Sequence, residues 1–449
     1  MSSNQILSNF LKEVTSLTVQ DKIKAKTRTP EELLAMVPDG AVIINTGGGA
    51  RGFYDKLHTI ADRLTKPVTV YGYQGGKDAP YYWDNQYKDK FATVSEFFGK
   101  PLRDRHDEGN VSIIPLHLHA YMDRFIDEFK PNIYILHTTS VDRHGYVRSG
   151  ISYCPNRRAL EMADIVIACT NPQLPIIYGD NEISIDQIDY IIEESAPLNS
   201  FDPGPLTDTD KAIGANVATL VEDGSTIQLG IGAIPDAVAN AFMDKKDLGI
   251  HTEMVTSSMA ELCLAGVVNG SKKTLHKGKL IGGFASGSQR LYDFITENPS
   301  VLLFPMQYVN HPNVIAQNYK MCSINTCIEV DLTGQIASET IGTRQFSGTG
   351  GQNDTAEGAI HCPGGKSIIA FASAITKKDG TRISKIKPML TPGSIVTMSR
   401  NNIDYIVTEY GIAPMKARSI RQRVENLIAI AHPDFREELR AEANKLMLW

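Results

Sequence analysis

Thr226-Ile227-Gln228-Leu229-Gly230-Ile231-Gly232-Ala233-Ile234-Pro235 is the stretch that decides the fold. Thr226 to Leu229 make a short strand, the glycines end it, and a helical pattern opens with Pro235, whose fixed φ suits a first turn. Strand, glycine turn and helix in that order make a cradle for a phosphate or pyrophosphate. The glycines let backbone N–H groups approach an anion, and the helix N-terminus favours negative charge. A purely structural glycine turn is the plain alternative. Downstream, Gly249-Ile250-His251-Thr252-Glu253-Met254 sets a lone acid in an apolar segment, facing whatever the cradle holds. Two chemistries fit this arrangement. In a dinucleotide site an acid about 20 residues past the glycines binds the ribose. In a covalent site a carboxylate attacks a ligand anchored by its own phosphates. Pro235 stands where the dinucleotide fingerprint wants its third glycine, which weakens the first option.

The same pattern occurs earlier. Asp39-Gly40-Ala41-Val42-Ile43-Ile44-Asn45-Thr46-Gly47-Gly48-Gly49 echoes Asp223-Gly224-Ser225-Thr226-Ile227-Gln228-Leu229-Gly230-Ile231-Gly232-Ala233, each followed by a helical pattern. The echo implies two α/β halves of related topology, joined by the proline-rich linker Ala196–Pro205. Buried strands are expected at Val68–Tyr71, Val111–Ile114, Ile133–Leu136 and Ile165–Ala168 in the first half. Leu302–Phe304, Ile368–Phe371, Ile395–Met398 and Tyr405–Val407 are their counterparts in the second. Such runs, alternating with helical segments, predict mainly parallel or mixed sheets covered by helices. The last helix is expected to begin with Asp434 as N-cap and Glu437 completing a capping box.

At 449 residues the chain exceeds a single core and should form two or three domains. The net charge of −6 gives no basis for binding nucleic acid or a membrane surface. Met1–Phe10 is polar, with no signal-peptide core, and no run reaches the ~18 apolar residues of a membrane span. The six cysteines are scattered and complete no zinc site, so reduced thiols in a cytoplasmic protein are expected. Cys154 is a poor candidate nucleophile.

Three glycine clusters stand at expected strand ends: Gly282–Gly287, Ser347–Asp354 and Gly364–Lys366. Glycine this dense is costly in backbone entropy, and close approach to a ligand accounts for it. His117 and His119 alternate in a loop, but no neighbouring acid or thiol completes a metal set. His251, two residues from Glu253, either orients that acid or packs. Asp142-Arg143-His144-Gly145 marks a turn, and the basic stretch Lys22–Arg28 a solvated face.

Five motifs in order resemble the acetyl-CoA hydrolase/transferase family: Gly230–Pro235, Gly249–Met254, Gly350-Gly351-Gln352, Val407-Thr408-Glu409-Tyr410-Gly411, and Ile430–Arg436. These are class I CoA-transferases, and the nearest branch is that of the butyryl-CoA:acetate and 4-hydroxybutyrate CoA-transferases. The resemblance covers essentially the whole chain and is strongest from Ile213 onward. It implies two related open α/β domains, residues 1–200 and 201–449, with the active site at their interface. It further implies that Glu253 is the nucleophile that becomes a glutamyl-CoA thioester. By the same resemblance, Gln228, Leu229, Gly230, Ile231 and Gly232 lie along the CoA, and Gly351 offers its N–H to the thioester oxygen. Asn310, in Val309-Asn310-His311-Pro312, stands near the reacting carbonyl. Ile328 and Lys378 match positions that touch CoA, and Glu409 helps to hold a closed, CoA-bound state. Coenzyme A enters as substrate, with no permanent cofactor and no metal, and the protein is expected to be a homodimer or homotetramer.

One departure bears on specificity. The family loop commonly reads Gly-Gly-Gln-Val-Asp-Phe, whereas here Asn353 and Thr355 replace the two apolar residues. With Arg344, Gln345 and Gln352 they suggest a polar acid site. The expected function is therefore ping-pong transfer of CoA between an acyl-CoA and a small acid. The acceptor expected is a polar C4–C5 acid (4-hydroxybutyrate, succinate or itaconate) rather than plain butyrate. An acyl-CoA hydrolase on the same scaffold is the first alternative, and a non-catalytic ligand-binding protein the second.

Overall fold

Short β-branched and apolar runs build two sheets in the computed structural model, which describes residues 18–72, 79–105, 110–120 and 122–448. The N-terminal stretch Met1–Phe10 lies outside the described residues. The first sheet contains β1 (Val42–Asn45), β2 (Val68–Tyr71), β3 (Phe91–Ser95), β4 (Val111–Ile113), β5 (Ile133–Thr138), β6 (Ile165–Thr170) and β7 (Tyr190–Glu193). Their order is β7-β6-β5-β1-β2-β3-β4, and every pair is parallel. The second contains β8 (Thr226–Leu229), β9 (Gly249–Val255), β10 (Leu280–Ala285), β11 (Val301–Leu303), β12 (Met321–Asn325), β13 (Lys366–Ala370), β14 (Tyr405–Thr408) and β15 (Gly411–Pro414). Its order is β15-β14-β13-β12-β8-β9-β10-β11, parallel except for the last hairpin β14–β15. A short strand from the first half, Tyr178–Gly179, adds to the edge at β11.

The two sheets are laid down in the same way. The echoed units supply β1 and β8, from which three parallel strands extend to each side, and the second sheet adds β15 at one edge and Tyr178–Gly179 at the other. All-parallel sheets are covered on both faces, so their strands are nearly uniformly apolar. β6 and β8 conform, with all of β8 buried. In such sheets a ligand lodges at the carboxyl ends of the strands, where the strand order reverses. In the second sheet that point lies between β8 and β12, with β9 alongside.

Three local expectations are corrected. The helix after β8 runs Ala233–Ala241 from Gly232, so Pro235 sits inside its first turn rather than at its start. Ile395–Met398 is not a strand: it makes a single bridge, Met398 to Ile336, and leaves Ile395 and Val396 exposed. Asp434 caps no helix. Pro433–Phe435 forms a 3-10 turn capped by the His432 side chain, the helix Arg436–Lys445 follows without a side-chain cap, and Asp434 pairs with Arg382.

The halves are stitched by direct contacts. Arg103 donates to the Phe346 carbonyl at 2.6 Å, and Ala285 N–H to the Ile151 carbonyl at 3.1 Å. The linker has no regular secondary structure, yet it is held: the Tyr292 hydroxyl donates to the Asn199 carbonyl at 2.8 Å.

Candidate active site

Glu253 lies on β9 and its side chain is half-buried. Alternation along the strand puts His251 on the same face. His251 is buried and bonds the Val309 carbonyl through Nε2 at 2.8 Å. Burial, with Lys273 nearby, drives its pKa down to about 3, so it is neutral. It therefore holds the backbone next to Asn310, whose amide donates to Glu253 Oε2 at 3.2 Å. Gly351 closes the third side. It is the N-cap of the helix Gln352–His361, and a Cβ there would overlap both Glu253 Oε2 and Asn310 Nδ2. Burial raises the Glu253 pKa to about 7 and the Asp354 charge adds to it, while the Asn310 amide and the Gly351 N–H favour the charged form. A carboxylate that is poorly solvated but held by two donors is poised to attack.

Glu253 stands at the junction of two cavities. The first, of about 190 Å³, is lined by Gln228, Leu229, Gly230, Ile231, Asn325 and Gly351 among others. The second, of about 220 Å³, is shared between the halves: Glu96, Leu116, His117 and Tyr153 come from the first, Phe284 and Ser286 from the second. The structure thus brings together Glu253, Asn310, Gly351 and Gln228 to Ile231. Gly232, with φ 113°, caps the helix beside them. Ile328, Lys378 and Glu409 line neither cavity. Lys378 is exposed in the loop between Ala374–Thr376 and Arg382–Ser384, and Glu409 accepts bonds from the Ser373 N–H and hydroxyl at 2.9 and 2.6 Å.

Other expectations fail for clear reasons. The polar residues credited with a polar acid site are bonded within the protein. Asn353 accepts from Asn402 at 3.2 Å, and Thr355 from Ser323 at 2.9 Å. The Gln352 amide donates to the Thr326 carbonyl at 2.9 Å, and Gln345 donates to the Ser347 carbonyl. Arg344 packs on the Phe346 ring. Gly282 and Gly283 lie inside β10, where a side chain would strike Val255 and Met306, so they serve packing. Gly365 is pressed against the Ala359 carbonyl in a turn. The cluster at Gly348–Gly351 meets the site with its glycines, and the Gly282–Gly287 cluster reaches it through Phe284 and Ser286. Cys154 is buried and its thiol pKa is raised by burial, which makes it inert.

Two features escaped the sequence. Glu96 follows β3 and its carboxyl is pushed up to about 7 by burial, with its own N–H and the Tyr71 hydroxyl acting the other way. Asp354 completes the His117–His119 set from across the interface: its Oδ1 lies 3.2 Å from His117 Nδ1 and 2.9 Å from His119 Nδ1, and its Oδ2 accepts the His119 N–H at 2.9 Å. These three offer ligand atoms within 4.8 Å of one another, so a metal could be held there, although they already bind each other. No separation along the chain could have signalled a partner 235 residues away. Glu96 had a weak signal, an acid directly after a buried parallel strand.

The chain is similar to known proteins over most of its length. The model of the acetyl-CoA hydrolase/transferase N-terminal domain matches residues 13–200, and that of the C-terminal domain residues 287–443. A 4-hydroxybutyrate coenzyme A transferase of Clostridium kluyveri is 45% identical over 350 residues, 78% of this chain and 81% of that protein. A succinyl-CoA:cyclohexane-1-carboxylate CoA transferase of Geobacter metallireducens is 43% identical, over 77% of this chain and 78% of its own length. The crystal structure of RipA from Yersinia pestis superposes with a TM-score of 0.87 at 30% identity, covering 96% of this chain and all (100%) of that one. Among the described residues no helix is long and apolar enough to cross a membrane.

Proposed function

The chain belongs to the acetyl-CoA hydrolase/transferase family and is a CoA-transferase, and from that premise we propose that it works by a ping-pong mechanism through a thioester on Glu253. The Glu253 carboxylate attacks the thioester carbonyl of an acyl-CoA, and the CoA thiolate leaves as a mixed anhydride forms. The thiolate then attacks the glutamyl carbonyl and releases the free acid, so the enzyme keeps the thioester bond. An acceptor carboxylate attacks that thioester, CoA leaves again, and its return to the acceptor carbonyl gives the new acyl-CoA and frees Glu253. Neither ATP nor a redox step is needed to balance these exchanges.

The observation that carries this reading is the seat of Glu253 between two cavities, with Asn310 and Gly351 as donors at its carboxyl. The cavity beside the Gly230 turn suits the pantetheine arm and phosphates of CoA, whose remote binding energy lowers the barrier at the carbonyl. The shared cavity suits a small acid. We take that acid to carry a polar far end, because Glu96, His117, Tyr153 and Ser286 interrupt an otherwise apolar lining.

Borohydride added after incubation with acyl-CoA should reduce the thioester and modify Glu253, and Glu253→Ala should lose turnover. Labelling at another residue would sink the assignment. Double-reciprocal plots with donor and acceptor varied should be parallel, whereas intersecting lines would require a ternary complex. Free thiol release that needs no acceptor acid would identify a hydrolase instead.

A further inference from the structure

Glu96 is the one acid of the shared cavity that the exchange chemistry does not use. It comes from the first half, yet the second half fixes it: Gly348 lies so close that any side chain there would overlap the Glu96 carbonyl oxygen. Its neighbour Gly350 lines the same cavity as Glu96 and Glu253. Both acids also act on Tyr153, whose hydroxyl is raised well above its ordinary pKa by burial and by their two charges, so the ring stands within the field of both. Glu96 Oε2 is buried and makes no hydrogen bond of good geometry among the described residues, the Tyr71 hydroxyl being the one side-chain donor that acts on its carboxyl. Buried polar atoms in folded proteins are nearly always paired, and a carboxylate oxygen can only accept. An oxygen of this kind facing a substrate cavity is suited to a donor that arrives with the substrate.

The charges of the cavity narrow that donor. The only basic side chain among its described lining residues is His117, and Asp354 already answers it. A dicarboxylate would bring its second negative charge beside Glu96 with no free cation to meet it. A methyl end would leave Oε2 with no donor beyond the Tyr71 hydroxyl. A hydroxyl satisfies the oxygen as a donor, and it can accept instead when Glu96 is protonated.

Resting on the proposed exchange at Glu253, we propose that Glu96 is the specificity residue of this enzyme. It reads the far end of the acid and selects a hydroxyl there over a methyl group and over a second carboxylate.

Three C4 acids that differ only at that end make the test: 4-hydroxybutyrate, butyrate and succinate as acceptors with acetyl-CoA. In the unmodified enzyme kcat/KM should be highest for the hydroxy acid. Glu96→Leu should lower the ratio of hydroxy acid to butyrate by roughly tenfold or more, since a site built to bond a hydroxyl discriminates strongly against its absence. Glu96→Gln, which still accepts a hydrogen bond, should retain most of the ratio, and it serves as the folded control if the leucine variant is unstable. A fall in kcat/KM that is equal for all three acids would mark Glu96 as merely structural and overturn the proposal. So would a preference of the unmodified enzyme for succinate or butyrate. Borohydride labelling keeps the two readings apart: an intact Glu253 adduct with an unchanged acid ratio condemns Glu96 alone, and a missing adduct in the unmodified enzyme condemns the exchange at Glu253.

Discussion

Replacing Gly351 by alanine tests the site most directly, because the perturbation is a single methyl group. The φ of Gly351 is −96°, which any L-residue adopts, so the backbone itself should tolerate the change. Space is what is missing: the new Cβ would overlap both Glu253 Oε2 and Asn310 Nδ2. Clearing that overlap requires the carboxyl or the helix start to shift by about 1 Å, and a misplacement of that size costs about 100-fold in rate. If the N–H is displaced as an oxyanion donor, removal of such a donor alone costs ~100–1,000-fold. We expect kcat for acyl exchange to fall at least about 100-fold, with valine worse than alanine. Thermal unfolding and circular dichroism should remain close to those of the unmodified protein. Gly350→Ala is the contrasting control. It meets nothing within 4 Å but sits at φ +55°, so it should cost stability, about 1–2 kcal/mol, rather than collide with Glu253. Near-normal turnover in a folded Gly351→Val protein would refute the assignment of the N–H and the crowding argument together.

With Glu253 as the proposed nucleophile, its pKa of about 7 predicts that kcat/KM for acyl-CoA rises with pH through about 7 and then levels, the carboxylate being the attacking form. Glu96→Gln should leave that midpoint in place, since burial and the Asp354 charge, not Glu96, raise the Glu253 carboxyl. A carboxyl raised from 4.5 to about 7 on folding penalises the folded state increasingly as pH climbs between those values. Glu253→Gln should therefore gain stability over the unmodified protein from pH 4.5 to 7 and keep the gain above, read as a Tm difference; a Tm gap that is the same at pH 4.5 and pH 8 would contradict the shift. Asp354→Asn should lose about 1.5–3 kcal/mol in urea unfolding near neutral pH, as charge-assisted bonds to His117 and His119 go. The loss should shrink in acid as Asp354 protonates, its pKa being lowered by those histidines, and shrink again as pH rises through the raised His117 pKa.

Much of this was legible in the residues, and the limits are physical. Strand and turn chemistry are local, so β2 and β8 fall where the runs Val68–Tyr71 and Thr226–Leu229 set them. The echo of Asp39–Gly49 in Asp223–Ala233 is realised as two sheets of one strand order. Ile395–Met398 misled because an apolar run says nothing about whether a sheet edge is open to receive it. Polarity also misled: Asn353 and Thr355 are polar because Asn402 and Ser323 face them, which only the packed structure reveals. The acid cavity was illegible for a related reason. Its walls come from loops of the first half, Glu96 and Leu116 to Leu118, pressed onto β9 of the second, and no periodicity encodes that docking.

The duplicated glycine turns differ in the side chain that stands over them. Ile43 pairs with Ile133 in the first sheet, and Ile227 pairs with Cys322 in the second. Counting on from those registers, His137 at the end of β5 occupies the place that Thr326 takes just past β12. In the first half the His137 imidazole packs onto its turn, with Nδ1 2.8 Å from where a Cβ on Gly48 would stand. In the second half the smaller threonine lines the cavity, and nothing approaches within 4 Å of the same point on Gly232. An imidazole over one turn and open space over the other distinguish the two copies, and the first-half turn lines a different cavity, of about 300 Å³, together with Arg51 and Glu194.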